Sequence, residues 1–475
     1  MRIFLIWPDT SQEAIDLVSG LKKSGHEIIY WAGTKKNEGK FPGIILHDHY
    51  DAWEGIPPKE LAGIVFDPPG KELIEKMSSV ESIILTMMNK HFKGMSVDER
   101  KNLYYGLLGY WRGVLNKFKP EAIVFSSVPH PTYSYLVFEL ARLLKIKTLM
   151  MQPISDIGRI VWYNDFWQGS SVLQTVLAAN KDKKFVLEDL SEDLQLYFKV
   201  YTDESNDPTP SYFKKALEKN NLRNRIILKI RLTAKSMKDL TIFKKVFLYF
   251  KKLLTDNARK EYGRLAVQPD LFRKFIYVPL HYQPECNTSP QGGPFVNQIL
   301  MIKILSASLP NDWRIYVKEH PAQWMAFGLN YTDYRYRGYY RQIAKIKNVQ
   351  LIPIETNSFL LINHSQAIAS VTGTVGWEAI LRQKPALIFG YAWYNDYSSI
   401  FKVNSAETCR TAINEIEKGY RPDRQSVINY LKCLELASFR NPVDERIKNN
   451  LKFTKQERLN NILEMINREL KKLNQ

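Results

Sequence analysis

A chain of 475 residues with 45% hydrophobic and 12% aromatic content is that of a globular protein too long for one compact core, so two domains plus additional segments are expected. It has no window of about 18 uncharged apolar residues, which excludes a bilayer-spanning helix. A net charge of +18 leaves three partner classes open: nucleic acid, an anionic membrane surface, or an anionic substrate.

The first apolar run, Ile3 to Trp7, is too short for a signal peptide and reads as a buried strand. A helix over 11–24 follows, with Ala14, Leu17, Val18 and Leu21 at helical spacing and Gly25 closing it. A strand over 26–31 completes a β-α-β opening, the start of a parallel, Rossmann-like sheet. No Gly-x-Gly-x-x-Gly accompanies it, so the dinucleotide fingerprint is absent there. A strand over 43–46 then runs into His47-Asp48-His49. Residues 57–118 read as largely helical, with Leu103, Leu107, Tyr110, Trp111 and Val114 on one face. A strand over 121–125 breaks into Ser126–Pro131, a helix spans 135–144, and a short strand covers 148–151.

This N-terminal α/β domain is expected over 1–170, and a mixed then basic segment over 171–265. Between Ser211 and Tyr262 there are 15 Lys or Arg against 4 Asp or Glu, a local net of +11, so more than half the excess charge sits in one stretch. Its helical spacing interleaves aromatics with Lys244, Lys245, Lys251 and Lys252, a pattern that suits an anionic membrane interface or the acceptor. The alternative is a helical insertion with solvated lysines. Without a zinc-finger or RNA-binding pattern, the charge does not point to nucleic acid.

A second α/β domain is expected over 266–420, with strands at 275–280, 313–317, 349–352, 367–371 and 385–390. Helices are expected between them, and C-terminal helices over 421–475. The whole reads as two Rossmann-like domains facing across a cleft. Three strands end in polar clusters: His281-Tyr282-Gln283-Pro284-Glu285, Lys318-Glu319-His320-Pro321 and Thr372-Gly373-Thr374-Val375-Gly376-Trp377-Glu378. Strand carboxyl ends of an open parallel sheet share one edge, where ligands bind. The Thr-Gly run suits amides approaching a phosphate, with Glu378 toward a ribose; its alternative is a helix cap at Thr374. Gln283 and Glu285 contact a sugar or base, or merely organise their loop.

Candidates for the base that a transferase needs are Asp9, His130 and Asp156. His47-Asp48-His49 is not read as a metal site, because alternate strand residues point to opposite faces. Cys286, Cys409 and Cys433 are odd in number and lack metal-ligand spacing, which points to a reducing, cytoplasmic compartment.

These runs resemble the bacterial capsular polysaccharide biosynthesis proteins, which are similar to the Kdo (3-deoxy-manno-octulosonate) transferases of capsule assembly and have GT-B architecture. The Gln-Pro and His-Pro motifs match Gln283-Pro284 and His320-Pro321, and the likeness covers roughly 275–395. It implies a metal-independent glycosyltransferase using a nucleotide-activated sugar, here a CMP-linked ulosonic acid, and no other cofactor. By analogy, Lys318 and His320 face the donor phosphate, and Thr372, Gly373, Thr374, Gly376 and Glu378 hold phosphate and ribose. The sequence departs after Gln283-Pro284, where Glu285-Cys286-Asn287 replaces an Asp-Ser pair; this bears on the donor's identity. The expected acceptor is a glycan or glycolipid at the inner face of the cytoplasmic membrane. The alternatives are a nucleotide-sugar 2-epimerase of the same fold and a non-catalytic capsule-assembly scaffold.

Overall fold

The computed structural model describes residues 1–92, 94–154, 156–203, 258–283, 288–324, 335–441 and 454–472. The expected membrane or acceptor patch, Lys244, Lys245, Lys251 and Lys252, lies outside them, as does Glu285. The chain divides into two compact units, each built on a mainly parallel α/β sheet as the sequence leads one to expect.

Unit 1 comprises Met1–Lys183, Ser289–Gly293 and Leu431–Gln475. Its strands are β1 (Arg2–Ile6), β2 (Glu27–Gly33), β3 (Ile45–Asp48), β4 (Ala122–Phe125), β5 (Lys147–Ile154), β6 (Arg159–Tyr163) and, from the end of the chain, β13 (Phe439–Arg440). They lie in the order β13-β6-β5-β4-β1-β2-β3. β1 to β5 are parallel, whereas β6 runs antiparallel to β5 and β13 antiparallel to β6. β3 begins two residues later than the sequence suggests. Gly43 sits at φ +86°, a left-handed turn that stops strand pairing, and Ile45 to Asp48 then pair with Tyr30 to Gly33. β6 and β13 are short antiparallel additions that the parallel pattern does not announce.

Successive strand side chains face opposite sides, and each face of this sheet is covered. On one, Ile3, Leu5, Val124 and Leu149 pack against Leu17, Val18 and Leu21 of the helix Gln12–Lys23. Leu459, Ile462, Met465, Ile466 and Leu470 of the last described helix, Lys455–Lys472, join the same core. Gly20 makes that contact possible: a Cβ there would stand 2.6 Å from Leu463 Cδ1. The region 57–118 is helical in pieces, of which Val97–Phe118 is the longest. A capping box starts this helix, with Ser96 Oγ accepting from the Glu99 amide and Glu99 accepting from the Ser96 amide.

Unit 2 comprises Lys184–Thr288 and Pro294–Tyr430. Its strands β7 (Phe275–Pro279), β8 (Arg314–Lys318), β9 (Val349–Leu351), β10 (Ala367–Ser370), β11 (Ala386–Ile388) and β12 (Phe401–Lys402) are all parallel. Their order is β12-β11-β10-β7-β8-β9. Ile276, Val278, Ile315 and Val317 face a core with Met301, Ile302, Leu305, Tyr340 and Ile343; Phe275, Tyr277 and Tyr316 face the other side with Leu361 and Ile362. Among the described residues no helix is long and apolar enough to cross a membrane.

Candidate functional site

The order of unit 2 places its site. The chain leaves β7 toward β8 and β9, then returns to the other side of β7 as β10, β11 and β12. Loops leaving β7 and β10 therefore diverge at their carboxyl ends, the topological switch point at which open α/β sheets receive ligands. His281 follows β7, and Thr372 and Gly373 follow β10.

His281 is buried and joins the two strand ends. Its Nε2 lies 3.1 Å from the Val371 amide, 3.4 Å from the Thr372 amide and 3.1 Å from Ser370 Oγ. Backbone amides only donate, so Nε2 accepts, and the neutral ring carries its proton on Nδ1. Ser370 Oγ in turn accepts the Gly373 amide at 3.1 Å. Burial, followed by the nearby His320 and Arg335, pushes the His281 pKa down to about 3. Its own amide donates to Oε1 of the buried Gln298 at 2.7 Å. The amides of Val371, Thr372 and Gly373 are thus satisfied inside the protein.

Steric fit explains the glycines of this run. A Cβ on Gly373 would stand 2.9 Å from Ser370 Oγ and 3.0 Å from His281 Cε1. One on Gly376 would stand 2.3 Å from the Tyr394 hydroxyl, which donates to the Gly373 carbonyl at 2.6 Å, and 2.8 Å from Ile388 Cδ1. Gly376→Ala is expected to cost about 1–3 kcal/mol by overpacking, measurable by chemical denaturation. Trp377 fills the other side of the helix Val375–Leu381, among Trp393, Tyr394, Tyr397 and Tyr430. Thr374 does not cap this helix with its side chain; its hydroxyl donates to Glu378 Oε1 at 3.3 Å.

At the end of β8, alternation sends Lys318 and Glu319 to opposite faces. Lys318 is 4% exposed; its ammonium donates to the Thr356 carbonyl at 2.6 Å and to Ser358 Oγ at 2.7 Å. Burial brings its pKa down to about 8, with Glu355 opposing the shift. Glu319 is fully buried and pairs with Arg335, itself 5% exposed, through Nε–Oε2 at 2.9 Å and Nη2–Oε1 at 3.1 Å. The Tyr340 hydroxyl and the His320 amide also donate to this carboxylate, and Arg335 Nη2 donates to the His281 carbonyl at 2.8 Å. One ion pair thereby ties the ends of β7 and β8 to the helix Tyr339–Ala344. Neither member was singled out from sequence. Glu319 stood unremarked between two named residues, and Arg335 is 16 positions away with no periodicity linking them.

His320 is half-buried. Its Nδ1 accepts the Ala322 amide at 3.1 Å, so the neutral ring carries its proton on Nε2. Burial lowers its pKa first; Glu319 opposes that, and Lys318 and Arg335 reinforce it. Gln283 is held by the buried Gln323, its amide donating to Oε1 at 2.9 Å and its carbonyl accepting from Nε2 at 3.0 Å; its own Nε2 donates to Thr288 Oγ1. The described edge thus gathers His320, Thr372, Thr374 and Glu378, while the buried Lys318 and Arg335 serve the scaffold.

In unit 1 the switch point lies between β1 and β4. Asp9 follows β1, and its two carboxylate oxygens accept from the amide and hydroxyl of Ser11 at 2.8 and 2.7 Å. His130 follows β4 and is half-buried, with Nδ1 3.1 Å from the Val128 carbonyl. Asp156 sits in the turn joining β5 to β6. His47 is buried in β3, its Nδ1 bound by the Tyr30 hydroxyl at 2.5 Å and its Nε2 donating to the Ile56 carbonyl at 2.8 Å. Asp48 caps the helix His49–Glu54, accepting the amides of Tyr50 and Asp51.

Residues 292–418 match the family described as capsule polysaccharide biosynthesis protein. The matched segment contains β8 to β12, with His320 and the whole Thr372–Glu378 run. No curated protein matches the chain. Among solved structures, the chain is similar to a β-Kdo 2,7 transferase, KpsC of Thermosulfurimonas dismutans, at 10% identity, covering 97% of this chain and 99% of that one with a TM-score of 0.33. It is similar to UDP-GlcNAc 2-epimerase of Methanocaldococcus jannaschii at 11% identity, 92% and 98% coverage and a TM-score of 0.26. The corresponding epimerase of Neisseria meningitidis, bound to UDP-GlcNAc, matches at 14% identity, 92% and 98% coverage and a TM-score of 0.25.

Proposed function

We propose that this chain is a glycosyltransferase of capsule or surface-polysaccharide synthesis that takes a nucleotide-activated sugar at the β7/β10 edge of unit 2. The observation that carries this reading is the matched segment lying on a parallel sheet whose switch point gathers His281, Thr372, Gly373 and, beyond β8, His320. The departing phosphate gains charge as the bond to the anomeric carbon breaks. His320, after β8, and Thr372, after β10, are the residues this reading assigns to stabilising that charge. The acceptor oxygen bonds to that carbon, and its proton passes to a base, for which Asp9, His130 and Asp156 are the sequence candidates.

A CMP-linked ulosonic acid is the donor this reading favours, and a glycan or glycolipid the acceptor. The +11 stretch supports work at the inner face of the cytoplasmic membrane. The test is to incubate the full chain with CMP-Kdo, UDP-GlcNAc or GDP-mannose and a capsular oligosaccharide, and to weigh the product. A gain of one sugar residue, with stoichiometric nucleotide release, is the expected result. Interconversion of a UDP-sugar without acceptor means the epimerase reading instead. No turnover together with no nucleotide binding leaves the scaffold reading.

A further inference from the structure

In unit 1 the helix Thr132–Leu144 starts buried and uncapped. The loop that leads to it from β4 is tied to the strands on either side. The Ser126 amide donates to the Ile6 carbonyl of β1 at 3.0 Å, and the Val128 amide to the Met151 carbonyl of β5 at 2.9 Å. The helix therefore begins at the carboxyl edge of the sheet, beside the switch point between β1 and β4. Its first backbone bond runs from the Tyr135 amide to the Pro131 carbonyl at 2.9 Å. The amides of Thr132, Tyr133 and Ser134 have no carbonyl to reach within the helix, and Pro131, at the N-cap, has no side-chain acceptor to offer them. All four residues, Pro131 to Ser134, are buried, so bulk water does not stand in for the missing cap.

Thr132 supplies a second, independent observation. It is 1% exposed, and its Oγ1 has no hydrogen-bond partner among the described residues. Helix side chains tilt toward their own amino end, so a hydroxyl at the first helical position is directed at the open amides. The start is held in place as well. The Tyr133 hydroxyl lies 2.8 Å from His49 Nδ1, and the Tyr133 ring stacks on Trp111 at 5.7 Å. Glu139, the one carboxylate on this helix, is paired with Arg142 at 2.7 Å.

Amides only donate, a hydroxyl can donate, and the helix dipole adds about half a positive charge at this end. The ligand that matches is an anion with several acceptor oxygens. We propose that the amino end of Thr132–Leu144 is a phosphate-binding site lying wholly within unit 1, with the Thr132 hydroxyl and the amides of Tyr133 and Ser134 as its donors. Its ligand is the phosphate of a phosphorylated acceptor, carried on a sugar or on a lipid. The phosphate follows from the geometry, whereas calling its bearer an acceptor rests on the glycosyltransferase reading.

The test follows the Tyr133 amide by NMR in the full chain, isotope-labelled at tyrosine nitrogen, with the resonance assigned by its loss in Tyr133→Phe. Inorganic phosphate and glucose-1-phosphate are expected to move it, and glucose and glucuronate to leave it in place. Thr132→Val keeps the side-chain shape without the hydroxyl. It should weaken phosphate binding about tenfold by calorimetry, yet melt no lower than wild type without ligand, because it removes an unpaired buried group. Pro131→Asp supplies the missing cap: its carboxylate accepts the open amides, so the ligand-free chain should melt higher and its Tyr133 amide should ignore phosphate. Co-sedimentation with vesicles containing a polyprenyl phosphate separates the sources. Vesicle binding that Pro131→Asp loses means a lipid-borne phosphate, and a response to glucose-1-phosphate alone means a sugar-borne one. A Tyr133 amide that phosphate does not move, or Thr132→Val binding phosphate as tightly as wild type, overturns the site. If nucleotide still binds unit 2 in that case, the transferase reading stands. A responsive Tyr133 amide in a chain that neither binds nor turns over any nucleotide-sugar keeps the site and overturns that reading.

Discussion

Replacing Glu319 with alanine is expected to cost about 3–5 kcal/mol of stability, because it leaves the Arg335 guanidinium buried without its counter-ion. Arg335→Ala should cost a similar amount by stranding the carboxylate. The two losses are not additive: the double variant removes both charges, so a double-mutant cycle should return a large coupling energy. The pair also carries the local backbone. Glu319 accepts the His320 amide, and Arg335 donates to the His281 carbonyl, so either single change should also weaken nucleotide binding. Denaturant titration of the full chain checks the stability effect. A loss below about 1 kcal/mol, the range of a solvent-exposed pair, would contradict this account.

The second large effect is acid lability centred on His281. In the folded chain its pKa is pushed from 6.5 to about 3 by burial, with smaller contributions from His320 and Arg335. Between those values the unfolded chain holds a proton that the folded chain does not, so stability rises with pH across the window. The contribution is fully present above pH 6.5 and is lost as pH falls toward 3, an amount on the order of 5 kcal/mol. His281→Asn keeps an acceptor for the Val371 amide but does not titrate. The advantage of wild type over this variant should therefore shrink steadily below pH 6.5 and reverse in acid. A constant difference from pH 7 to pH 3 would mean that His281 does not hold the two strand ends as described.

Much of the scaffold was legible in the sequence because each strand of the parallel sheets is an apolar run closed by a polar cluster or glycine. Phe275–Pro279, Arg314–Lys318 and Ala367–Ser370 all lie where such runs predict them. Periodicity says nothing about partners distant in sequence. His281 was visible as part of a polar loop, but its bond to the Val371 amide, 90 positions on, emerges only from the pairing of β7 with β10. Likewise the glycines at 373 and 376 look like a phosphate loop in sequence, whereas the atoms that require them are Ser370 Oγ, His281 Cε1 and the Tyr394 hydroxyl. The two-residue β13 was missed because it is too short to carry a period of its own, and β6 because a parallel α/β pattern has no place for an antiparallel strand directly after β5. The return of Lys455–Lys472 to the core of unit 1 is likewise a contact between residues more than 400 positions apart.

The central claim is that the β7/β10 edge of unit 2 holds the nucleotide of a sugar donor. The most direct measurement is the thermal shift of the full chain with CMP, CDP, UDP, GDP and ADP, run beside His320→Ala and Glu378→Ala. A nucleotide at 100 times its dissociation constant stabilises the folded state by about 2.7 kcal/mol, which such a scan resolves. The account predicts a shift with CMP that both variants lose. A shift with UDP or GDP would change the donor and leave the site in place, whereas no shift with any nucleotide, or one that both variants retain in full, would contradict it.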